Sequence, residues 1–166
     1  MIKYNEDAIQ YLAKLGEGGL RTAITLLEKC LNYSEDLTID NIVKALGIAN
    51  YDSMFSLFSA ICEKDTALVL EQIDNIYQSG ADMKQFISEF TNMILDICKY
   101  KLSKSFSSVK IPNTYKDVMD KYTDSNEYAI AYALLDMLMK LNANMRWETN
   151  PKALFEANII VFMGEI

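Results

Sequence analysis

Apolar residues recur along this chain at steps of three and four, and the register stops at glycines, prolines and capping polar residues. After Asn5, a capping residue by type, Ala8, Ile9, Leu12 and Leu15 fall on one helical face, and Gly16, Gly18 and Gly19 end the run. A second stripe, Leu20, Ala23, Ile24, Leu27, Cys30 and Leu31, predicts a helix from about Leu20 to Tyr33. A polar break covers 34–37. Thr38 then caps a short helix, Ile39 to Leu46, which Gly47 closes. Three helices joined by short turns carry little apolar surface of their own, so this unit is expected to lean on something else.

Beyond Ile48-Ala49-Asn50 the predicted helices lengthen and their apolar faces widen. Tyr51 to Glu63 carries Met54, Phe55, Leu57, Phe58 and Ile61, and Asp65 to Tyr77 carries Leu68, Val69, Ile73 and Ile76. After Ser79-Gly80, the stretch from Asp82 to about Leu102 carries Phe86, Ile87, Phe90, Ile94, Ile97 and Cys98; Asp65 and Asp82 are good N-caps. Four serines and the helix-hostile Ile111-Pro112 pair predict an exposed, mobile connection over 103–111. A short helix follows from Thr114 to Tyr122, and Asn126 to Trp147 keeps one apolar register for roughly six turns. Pro151 stands where a first helical residue tolerates proline and opens a last helix through Phe162. The pattern amounts to about nine helices and no convincing strand, an all-α fold. Its texture divides it into a three-helix unit over 1–47 and a helical unit over 51–166.

Composition narrows the function classes. The 166 residues are 51% hydrophobic with only 2 Pro and 6 Gly, which supports a packed core in one domain or two small ones. Apolar residues never run unbroken for the ~18 positions of a membrane span, and no basic-then-apolar leader opens the chain, so the cytoplasm is the expected location. Cys30, Cys62 and Cys98 lack CxxC spacing and sit among apolar neighbours, which predicts buried free thiols. Sixteen basic against 23 acidic residues give a net charge of -7, the wrong sign for a protein that grips phosphate backbones unaided. There is no histidine, so the commonest general base and zinc ligand is missing, and neither a catalytic residue nor a metal site is expected.

The stretch that invites a chemical reading is Gly18-Gly19-Leu20-Arg21-Thr22-Ala23 and the apolar helix behind it. Two glycines permit close backbone approach at a helix start, and Arg21 stands in the first turn, where the macrodipole mildly disfavours a cation. Its charge is answered by Glu17, by water, or by an anion held elsewhere. This Gly-Gly-Leu-Arg run resembles the sensor-2 motif of the AAA+ clamp loaders, and the surrounding sequence is similar to the bacterial DNA polymerase III gamma/tau family. That resemblance implies that residues 1–47 form the lid of a clamp-loader subunit and that 51–166 form its collar, an oligomerisation domain. It further implies that Arg21, supported by Gly18 and Gly19, reaches the γ-phosphate of bound ATP. The family usually places Asp after the arginine; Thr22 here removes any ion pair at that position. The segments Leu37 to Gly47, Asp65 to Phe90 and Arg146 to Glu156 resemble successive parts of the same family.

No GxxxxGK[ST] loop is present, so ATP hydrolysis is not expected of this chain alone. By the resemblance, ATP and Mg belong to a full-length parent with an ATPase domain. Its implied partners are further copies of the same subunit, delta-type subunits and the sliding clamp, with DNA reached only through the assembly; no membrane and no small-molecule substrate is implied. Arg146, Trp147 and Glu156 are the interface candidates, Trp and Arg being enriched at binding hot spots. A free-standing helical scaffold or adaptor is the alternative, and in it the glycine-arginine run is coincidental.

Overall fold

The structure, a computed structural model, describes residues 2–48, 50–124 and 126–166. Ala49, within the break read at Ile48-Ala49-Asn50, lies outside the described residues. Nine α-helices occur among them: α1 (Glu6–Leu15), α2 (Leu20–Tyr33), α3 (Ile39–Leu46), α4 (Tyr51–Cys62), α5 (Thr66–Gln78), α6 (Met83–Ser103), α7 (Lys116–Asp124), α8 (Glu127–Met145) and α9 (Pro151–Glu165). The all-α reading holds, with one small addition. Two two-residue strands, β1 (Lys3–Tyr4) and β2 (Asp36–Leu37), pair in parallel, Lys3 opposite Asp36 and Tyr4 opposite Leu37. A ladder this short has no periodicity to read; the Lys3 and Asn5 N–H groups donate to the Glu35 and Leu37 carbonyls and tie the break before α3 to the start of the chain.

Side chains at the helix starts explain where the helices begin. Asn5 accepts a hydrogen bond from the Ala8 N–H at 2.7 Å, Thr38 from Asn41 at 3.2 Å, and Asp65 from Leu68 at 3.0 Å. Asp82 accepts from both Lys84 and Gln85, and Asn150 from Ala153 with Pro151 in the first turn. Gly47 ends α3 with φ 65°, a left-handed value that a side chain would oppose.

The core runs through both halves of the chain. Helix α6 is its axis, packing against α7, α8 and α9 and burying Phe86, Ile87, Phe90, Ile94 and Ile97. The rings of Phe86 and Phe90 stack 5.9 Å apart, and Phe155 of α9 meets each edge-on. On the other side Phe55 stacks on Tyr115 and Tyr122, while Tyr51 meets Tyr11 of α1 edge-on at 6.2 Å. Cys30 and Cys98 are buried and Cys62 is half-buried, all as free thiols.

One expectation is refined. The connection over 103–111 is exposed at most of its positions, as read, but it is anchored to the core at its end. It forms a 3-10 turn (Phe106–Ser108), and Val109 and Ile111 are fully buried. The serines that suggested exposure bond among themselves, Ser103 to Ser108 and Ser105 to Ser107, so their polarity is satisfied within the segment. The helix expected from Thr114 begins with a second 3-10 turn (Asn113–Tyr115) and continues as α7.

Candidate functional site

The glycine turn and the start of α2 are shaped by sterics before any charge is considered. The Gly16 N–H closes α1 onto Leu12, and a Cβ built on Gly16 would lie 2.8 Å from the Ala23 Cβ, so this glycine lets α1 and α2 touch. Glu17 and Gly18 both take positive φ, 52° and 80°, and reverse the chain. Gly19 is the N-cap of α2 and has no side chain to answer the first amides. No acidic residue stands in the first turn either. The result is a helix start whose orphan N–H groups lack a side-chain cap, with Arg21 one residue into the helix.

Arg21 is exposed, and among the described residues no carboxylate lies within ion-pair distance of it. Glu17, the pairing partner read from the sequence, is instead bonded to Lys110, 93 residues away. The Lys110 hydrogen bond and charge hold the Glu17 carboxyl below the usual carboxylate range, with Lys99 adding to the pull. Gly18 and Gly19 immediately precede α2, in which Arg21 is the second residue.

Sequence reasoning missed what surrounds that turn. Lys14, at the end of α1, donates to the Ile111 carbonyl at 2.9 Å and to Asn113 Oδ1 at 2.8 Å, and its ammonium lies 4.2 Å from the Phe106 ring centroid. Burial lowers the Lys14 pKa, and Asp96 opposes that shift. Asp96, only 5% exposed on α6, accepts the Lys110 N–H at 2.9 Å. Burial raises its pKa against the pull of that hydrogen bond and of Lys99, 3.8 Å away. A charged residue at Asp96 inside an apolar helical face was the one local signal that a buried carboxylate stands here.

The interface candidates do not form one cluster. Arg146 lies over the Trp147 ring at 5.1 Å, just after α8, and Trp147 is 82% exposed. Glu156 instead pairs with Lys152 at 3.1 Å, and Lys152 also reaches Asp74 at 2.9 Å, tying α9 to α5. Neither Arg21 nor Arg146 lines the groove of about 1140 Å³ between α3, α4, α5 and α6, whose wall includes Ile48, Ser56, Leu68, Gln72 and Ile76. No cluster of metal-ligating side chains occurs among the described residues.

Comparison with known proteins gives a consistent set of relatives. The family model described as DNA polymerase III subunits gamma and tau domain III matches residues 37–163. The tau subunit of DNA polymerase III from Bacillus subtilis is 22% identical over 96% of this chain and 28% of its own length. The gamma subunit from Buchnera aphidicola is 21% identical over 98% of the chain and 45% of its own length, and the gamma/tau subunit of Mycoplasma genitalium is 23% identical over 86% and 24%. The chain thus spans less than half the length of each of these proteins.

Proposed function

Because the chain belongs to the family of DNA polymerase III subunits gamma and tau domain III, we propose that it serves as the lid and collar of a clamp-loader subunit. Residues 1–47 act as the lid and 51–166 as the collar. The collar assembles with further copies of the subunit and with delta-type subunits, and the sliding clamp and DNA are reached through that assembly. ATP and its Mg are held, and ATP is cleaved, by an ATPase domain that these residues do not supply.

The nucleotide-sensing part of the reading rests on the state of Arg21, an exposed guanidinium in the first turn of an uncapped helix with no carboxylate of the described residues paired to it. A phosphate oxygen suits both features, since a helix start and a planar cation each favour an anion. The chain's own contribution is to bind and orient: Arg21 would meet a terminal phosphate, and Gly18 and Gly19 would let the backbone approach it.

In the longer protein that carries the ATP site, Arg21→Ala is expected to slow ATP-coupled clamp loading about tenfold or more, the equivalent of one charge-assisted hydrogen bond. Subunit assembly and helix content should stay unchanged. Loading at the normal rate by that variant would overturn the sensing role, and a wild-type chain that joins no clamp-loader assembly would favour a free-standing adaptor.

A further inference from the structure

Arg21 and Glu17 are four residues apart across a tight turn, opposite in charge and both exposed. An ion pair between them would leave the guanidinium a poor ligand for a second anion. The fold diverts Glu17. Its carboxylate accepts from Lys110 Nζ, and Lys99 of α6 adds attraction from the same side. Lys110 is itself fixed from three directions. Its N–H is held by the buried Asp96 carboxylate, and its neighbours Val109 and Ile111 are sunk in the core. The Ile111 carbonyl and Asn113 are clamped to α1 by Lys14, and Asn113 also donates to Gln10.

We propose that the 104–115 segment works as a strap through which Lys110 keeps Glu17 away from Arg21, so that the arginine stays available to an anion. This rests on reading Arg21 as the phosphate-sensing residue. It makes Lys110 and Asp96 positioning residues: neither meets the nucleotide, and both set the charge state in which Arg21 meets it. It also links the two halves of the chain. Whatever loosens the strap from α6 releases Glu17 onto Arg21 and switches the sensing arginine off, with no change in the helices that carry it.

The test uses the 166-residue chain and three variants: Lys110→Met, Glu17→Gln, and the two combined. Rotation of the Arg21 guanidinium, followed by nitrogen NMR, slows when the group is ion-paired. The wild type and Glu17→Gln are expected to rotate fast, Lys110→Met to rotate several-fold slower, and the double variant to return to the fast rate. Inorganic triphosphate, titrated at low ionic strength and read at the Gly19 and Arg21 amides, should bind Lys110→Met at least threefold more weakly than wild type, with affinity restored in the double variant. A simple structural tether would instead leave Glu17→Gln and the double variant as impaired as Lys110→Met, and that pattern would overturn the proposal. An Arg21 rotation rate unaffected by Lys110→Met would overturn it too. If the rotation rates follow the expected pattern while triphosphate shifts no amide in any variant, the diversion of Glu17 is supported and the phosphate-sensing reading of Arg21 fails.

Discussion

Asp96 carries a carboxylate into a nearly dry part of α6, and its effect on stability has a definite sign. Its folded pKa is raised above the ordinary 3.8, chiefly by burial, so between those two values the folded state binds the proton more readily than the unfolded chain does. Its contribution to stability is therefore fullest at low pH and declines as pH rises through the raised folded value. Asp96→Asn keeps an oxygen for the Lys110 N–H without the charge. Urea unfolding from about pH 4 to about pH 7 should show this pH dependence in the wild type and not in Asp96→Asn, which should match or exceed wild-type stability near neutrality. Asp96→Ala leaves the Lys110 amide without its acceptor and is expected to cost about 1–3 kcal/mol. At this scale the sequence marked Arg21 behind two glycines, whereas Asp96, a carboxylate in an apolar stripe, passed unremarked until the structure showed it buried. Their partners stayed hidden, because Lys110 and Glu17 are 93 residues apart and no local spacing connects them.

The helices were legible almost throughout, since their starts are written in capping side chains and their faces in a repeat of three and four. Asn5, Thr38, Asp65, Asp82 and Asn150 all cap as their types suggest. The strap's serines are largely exposed, as their composition suggests; its anchors, Phe106, Val109 and Ile111, went unread because so short an apolar set has no helical register. The turn before α2 poses a sharper demand. Gly16 keeps an ordinary backbone conformation, so its need for glycine is one of space, with the Ala23 Cβ 2.8 Å from where a new Cβ would stand. Gly16→Ala is therefore expected to push α1 from α2 and lower stability by about 1–3 kcal/mol in thermal unfolding. Relieving the contact with Ala23→Gly in the same chain should recover part of that loss, less the roughly 1 kcal/mol that a glycine costs within a helix.

Across the whole molecule, exposed apolar residues on and between α8 and α9 ask for a partner. Tyr132 and Met139, one heptad apart on α8, are 65% and 60% exposed, Val161 of α9 is 61% exposed, and Trp147, between the two helices in sequence, is 82% exposed with only Arg146 over its ring. Under the collar reading, sedimentation of the chain should show self-association as concentration rises through the micromolar range. Met139→Asp and Trp147→Asp should each weaken it about tenfold or more, as the loss of a central apolar anchor does, with helix content unchanged. A monomer at every concentration would leave the collar dependent on unlike subunits. The sequence by itself determined the helices, their caps, the absence of histidine and the glycine-arginine run, because each depends on residues within a turn or two of one another. Tertiary structure alone decided that the serine-rich stretch is a strap, that Asp96 holds it, and that Glu17 answers Lys110 and leaves Arg21 unpaired among the described residues. Those outcomes depend on which distant groups are brought within a few ångströms, where burial and charge act most strongly.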